Sequence, residues 1–173
     1  TMNSILLLCI VLLPVTFAQE VPTGCVTIEN RFFYGYLVKG LEDENHNVAF
    51  SATPEQWYIR KGLGVFRITH VPTREELYES DSELSWSPGH PVFIRERKVG
   101  IPDALWEIEP GSNADYFLIR NIERNACLGL SFFGKKNFSV LSANPECSGK
   151  EYEWQFNKVE CEEKNLNEYD DTE

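Results

Sequence analysis

The chain has 173 residues, of which 27 are acidic and 16 basic, giving a formal net charge of −11. That balance argues against nucleic acid or heparin as the main partner, because both require a cationic footprint. The length suits one domain with a substantial core and is short for two.

Taken in chain order, residues 1–18 read as a signal peptide: an apolar run from Ile5 to Leu13, then Pro14, then the short residues Thr16 and Ala18. The run falls well short of the roughly 20 residues that span a bilayer, and no later segment is apolar enough to span or re-enter one. Cys9 leaves with the signal, so Cys25, Cys127, Cys147 and Cys161 remain. An even count in an exported chain favours two disulfides, and four cysteines allow three connectivities. No C-x-x-C pair occurs and His46, His70 and His90 are scattered, so neither a metal site nor a cofactor is expected.

Beyond Cys25 the sequence repeats. Alternating segments open three units, at Val26–Asn30, Phe66–His70 and Phe117–Asn121, with the period of half-buried strands. Nine residues after Ile28, Ile68 and Ile119 stand Leu37, Leu77 and Leu128. Each unit closes on a tryptophan, Trp57, Trp106 or Trp154, followed two positions later by Ile59, Ile108 or Phe156. Between the first and third copies an offset of 91 pairs Phe50 with Leu141 and Pro54 with Pro145 without a gap. The pattern predicts three repeats of four short strands, over about 25–63, 64–112 and 113–160. No unit can bury its apolar face alone, so the twelve predicted strands should close into a pseudo-symmetric barrel without open edges.

The third copy, Tyr116-Phe-Leu-Ile-Arg-Asn121 through Cys127-Leu128 to Glu153-Trp154-Gln-Phe156, resembles the repeat of ricin-B-type lectins. The resemblance implies an all-β domain of β-trefoil fold over residues 19–161. It also implies Cys127 bonded to Cys147, which leaves Cys25 for Cys161. The family's sugar site is not carried over. An Asp directly after the Cys-Leu pair is replaced by Val38, Tyr78 and Gly129, and a Gln two residues before the Trp by Glu55, Ala104 and Tyr152. Repetition of the three tryptophans points to core packing rather than sugar stacking.

No catalytic motif is recognisable, so the chain is expected not to be an enzyme. The acidic stretch Glu75, Glu76, Glu79, Asp81 and Glu83 reads as a solvated loop. Three features break the symmetry and are candidates for partner contact. Trp86, on the long Gly/Pro loop of copy two, is either an anchor or folded back over the barrel end. Phe132, Phe133, Lys135 and Lys136 form an aromatic and basic hairpin beside the sequon Asn137-Phe-Ser139, a candidate for glycosylation. The tail, residues 162–173, carries six acids against one Lys. Its composition is that of a disordered, solubilising segment. Tyr169 within it resembles a tyrosine-sulfation site, and similar acidic tails in blood-feeder anticoagulants engage a cationic exosite on thrombin.

The sequence thus leads to a monomeric, secreted, non-enzymatic binding or effector module that contacts an extracellular protein through barrel loops and tail. A carbohydrate-binding lectin with a rebuilt site is one alternative. A protease inhibitor of trefoil type, or an anti-haemostatic salivary-type protein, is another.

Overall fold

The computed structural model describes residues 19–40, 48–83, 89–132 and 139–162, and for 131, 132 and 139–142 the backbone alone. Residues 1–18, the expected signal peptide, and all but the first residue of the acidic tail lie outside these residues. Three sets of four strands follow one another. Copy one holds β1 (Gly24–Asn30), β2 (Gly35–Lys39), β3 (Val48–Ser51) and β4 (Trp57–Gly62). Copy two holds β5 (Val65–His70), β6 (Glu76–Glu79), β7 (His90–Arg95) and β8 (Trp106–Pro110). Copy three holds β9 (Phe117–Asn121), β10 (Ala126–Phe132), β11 (Ser139–Asn144) and β12 (Glu153–Lys158).

The first and last strands of each copy pair around a closed circuit, β1–β4–β5–β8–β9–β12 and back to β1, all antiparallel. The inner strands form three hairpins, β2–β3, β6–β7 and β10–β11, which extend from this barrel and gather at one end through a β7–β11 pairing. This is the closed barrel expected from the repeat, and it has the β-trefoil fold that the lectin resemblance implied. Closure consumes the edge hydrogen bonds that an open sheet of short strands would leave unpaired.

What repeats in sequence is the core. Ile28, Ile68 and Ile119, and Leu37, Leu77 and Leu128, are all fully buried. So are the three tryptophans, and each solves its one polar problem in the same way. The indole Nε1 donates to the carbonyl of the core leucine of its own copy: Trp57 to Leu37 at 2.8 Å, Trp106 to Leu77 at 3.1 Å and Trp154 to Leu128 at 2.9 Å. A buried indole keeps its large apolar gain only if this N–H is satisfied.

The turn after each opening strand is also tripled. Asn30 Oδ1 accepts from the backbone N–H groups of Phe32 and Phe33, and Asn121 Oδ1 accepts from those of Glu123 and Arg124. This is the Asx turn for which Asn is favoured. Their Nδ2 groups donate inward to Glu151 O and Asp103 O. Copy two has His70 here, with Nε2 3.0 Å from Glu55 Oε2 and Nδ1 2.9 Å from Thr73 Oγ1. Burial lowers the His70 pKa and the Glu55 carboxylate only partly restores it. In all three copies the fourth residue onward takes a positive φ, at Tyr34, Arg74 and Asn125, which reverses the chain into the next strand.

Cys25 is bonded to Cys161 and Cys127 to Cys147. The first bridge joins the strand that opens the barrel to the segment following the strand that closes it. The second lies within copy three.

Candidate interaction sites

At the position where the lectin resemblance would require a sugar-binding carboxylate, each copy is filled differently. Val38 is buried, and the backbone N–H of its neighbour Lys39 donates to Glu55 Oε2 at 2.6 Å. The Tyr78 ring is covered by the Arg95 guanidinium, 4.1 Å from its centroid, which is itself forked onto Asp103. Gly129 lies flat under Tyr152: a Cβ there would come within 2.5 Å of the tyrosine ring. Residues two before the tryptophan therefore help to close this position in copies one and three.

A surface aromatic group is prominent on the first Asx turn. Phe32 is 52% and Tyr34 79% exposed, yet the turn bearing them is firmly held. Phe32 packs edge-on against Phe33, with centroids 4.6 Å apart, and Phe33 against Phe50 at 5.9 Å. The Phe50 ring occupies the space above Gly35, where any side chain would collide with it. Arg31 lies 4.6 Å over the Tyr116 ring and donates to the buried Glu153 and to Ser112. Burial pushes the Glu153 carboxyl upward, but the Ser112 N–H and the Arg31 guanidinium outweigh it and hold its pKa below the ordinary value. The equivalent turns, 71–74 and 122–125, carry no aromatic residue. This site was missed in the sequence reading, although comparing residues 31–34 with the same turns of the other copies would have found it.

Of the contact candidates from sequence, Phe132 ends β10, where its backbone pairs with Ser139. Trp86, Phe133, Lys135, Lys136, Asn137 and Tyr169 lie outside the described residues. The acidic stretch requires a correction: it is not a solvated loop throughout. Glu76 and Glu79 lie buried on β6, while Asp81 and Glu83 are exposed. Glu76 is held by Arg67, whose Nη1 donates to both carboxylate oxygens at 2.8 and 3.1 Å, with Arg97 3.7 Å away. Glu79 faces Arg124 at 3.5 Å, and burial lifts its pKa to about 8. Glu76 is thus paired with an arginine of the preceding strand and Glu79 lies beside one from copy three, neighbours that a local charge count does not register.

Among the described residues no cluster of three or more His, Cys, Asp or Glu side chains could hold a metal ion. No helix among them is long and apolar enough to cross a membrane.

No protein-family model and no curated protein matches the chain. Among solved structures, a salivary protein from Culex quinquefasciatus of the cysteine and tryptophan-rich (CWRC) family is 31% identical. The match covers 82% of this chain and 98% of that one, with a TM-score of 0.71. The chain belongs to the CWRC family. A second Culex quinquefasciatus salivary protein of that family shares 21% identity over 82% of this chain and 98% of its own, at a TM-score of 0.66. The BEL β-trefoil shares the fold alone, at 15% identity, 83% and 100% coverage and a TM-score of 0.65. In this CWRC protein the residues of the family name are mostly structural: three of its four tryptophans are core, and four of its five cysteines form the two bridges. The remaining tryptophan, Trp86, is outside the described residues.

Proposed function

We propose that this CWRC protein is a secreted, non-enzymatic, salivary-type binding protein that engages an extracellular protein partner through loops on a rigid barrel. The single observation carrying this reading is the aromatic pair Phe32 and Tyr34, exposed on a turn that Arg31, Glu153 and Phe50 hold fixed. Exposed aromatics on a preorganised turn lose little freedom on binding and supply much of the energy of protein interfaces. Secretion is supported by the leading apolar run, the two bridges and the salivary origin of the Culex relatives. Trp86, Phe132, Phe133, Lys135 and Lys136 extend the contact surface in this reading, and the acidic tail with Tyr169 adds long-range attraction to a basic partner.

The test is to capture partners from host plasma on the immobilised full chain, identify them, and titrate the purified partner against variants. The F32A/Y34A double variant should bind about 30-fold more weakly, the size of one hot-spot loss of about 2 kcal/mol. Deleting residues 162–173 should lower affinity and flatten its dependence on salt. Unchanged binding in both variants, or saturable binding to a glycan array in place of a protein, would overturn the reading.

A further inference from the structure

Residues 19–23 lead from the turn between β8 and β9 into β1. Val21 packs against the core, while Gln19 is half-buried and Glu20 exposed. The Gln19 side chain rests on the main chain of that turn, where its Nε2 donates to Ala114 O at 2.5 Å and reaches Tyr116 O at 3.5 Å. Tyr116 O already has a closer donor in Gly111 N, at 2.7 Å. A single N–H at the Gln19 amide therefore suffices to hold this docking.

The apolar run Ile5–Leu13, followed by the short residues Thr16 and Ala18, places the expected signal cleavage between Ala18 and Gln19. Cleavage there frees an α-amine on a residue whose own side chain ends in an amide. Amine and amide carbon Cδ are then joined by the chain length that closes a five-membered ring, and such proximity strongly favours an intramolecular attack. An α-amine is also a weaker base than a lysine amine, so more of it is the free nucleophile at neutral pH.

We propose that Gln19 is a modification site, carried by the released protein as pyroglutamate. The α-amine nitrogen attacks Cδ. The N–Cδ bond forms, the Cδ–Nε2 bond breaks, and a proton of the amine leaves with Nε2 as ammonia. No oxidant, reductant or second substrate enters. The ring nitrogen is still bonded to Cδ and still carries one hydrogen, the one donor that the Ala114 carbonyl needs. Closure removes the terminal positive charge and the amine that an aminopeptidase recognises, beside a segment whose Val21 contributes to the core. The inference rests on the secretion reading but not on the aromatic turn.

The test is to express residues 2–173 in insect cells and collect the protein from the medium. No Lys or Arg lies between Gln19 and Arg31, so trypsin yields the peptide 19–31 whole. Its mass should be that of the sequence less one ammonia, with fragment ions placing the loss on residue 19. A synthetic 19–31 peptide with free Gln19, carried through the same digestion, reports ring closure during handling. Q19N keeps the amide but would need a four-membered ring, so its peptide should retain its nitrogen. Incubation with an aminopeptidase should leave the wild type intact and shorten Q19N. A released chain that begins at Gln19 with its nitrogen intact would overturn the modification and leave secretion standing, as would a released chain that begins at another residue. Failure of the protein to reach the medium would overturn the secretion reading, and the modification with it.

Discussion

Glu79 is the residue whose environment departs most from its chemistry. It ends β6 with its carboxyl fully enclosed and, among the described residues, without a hydrogen-bond donor. Burial raises its pKa to about 8; Arg124 opposes that rise, and Glu123, Asp103 and Asp81 add to it. The sign of the consequence follows from linkage. Between the unfolded value near 4.5 and about 8 the folded chain holds a proton that the unfolded chain has released. Stability from this group is therefore complete below the lower value and is lost as pH rises toward the upper one, by a few kcal/mol at most. The neutral isostere in E79Q should remove this slope. Melting temperatures of wild type and E79Q across pH 5 to 8 should converge at the acid end, and the wild type should fall below the variant at the alkaline end. Parallel profiles would mean that Glu79 does not titrate in this window. Sequence could not disclose this, since Glu79 and the exposed Asp81 are neighbours of identical character. Arg124, 45 residues further on, comes beside Glu79 only in the folded trefoil.

At the scale of the element, the opening strands and their buried faces were legible because their cause is local. Alternation at Val26–Asn30, Phe66–His70 and Phe117–Asn121 marks one buried face, and spacing of nine residues places the core leucine of the next strand. The Asx turns were legible only in part. Asn30 and Asn121 have the side chain that such a turn uses, whereas His70 fills the same place by borrowing Thr73 and Glu55. Candidate contacts were the least legible, because exposure of Phe32 and Tyr34 depends on how the turn is anchored from other repeats. Packing of β10 against the 3-10 turn Lys150–Tyr152 that precedes β12 is a case in which sequence flagged both partners without relating them. Gly129 and Tyr152 each replace a lectin motif residue, and the structure presses one against the other. In G129A the new methyl group must displace the ring, at a cost of about 1–3 kcal/mol in urea denaturation. In the Y152A background the same substitution should cost almost nothing. The resulting coupling in the double-mutant cycle measures this contact, and additive costs would deny it.

For the whole molecule, stability turns on where the barrel closes. β1 and β12 are far apart in sequence, yet they pair over five residues, and Val159 N donates to Cys25 O just beyond them. Bringing these ends together carries the largest loop-closure cost in the fold. The Cys25–Cys161 bridge, with a sequence separation of 136, constrains the unfolded chain at this seam, while Cys127–Cys147, with a separation of 20, constrains only copy three. Chain entropy assigns about 5 kcal/mol to the first and about 3 kcal/mol to the second. C25A/C161A should therefore lose more stability than C127A/C147A in urea denaturation. Its unfolded state, freed of a nearly chain-length loop, should also expand more and raise the m value further. Equal losses would show that native packing at each bridge, rather than the loop it closes, sets its worth. The larger loss at the seam would mean that the six strands of the barrel hold their circuit because one covalent bond keeps the first near the last.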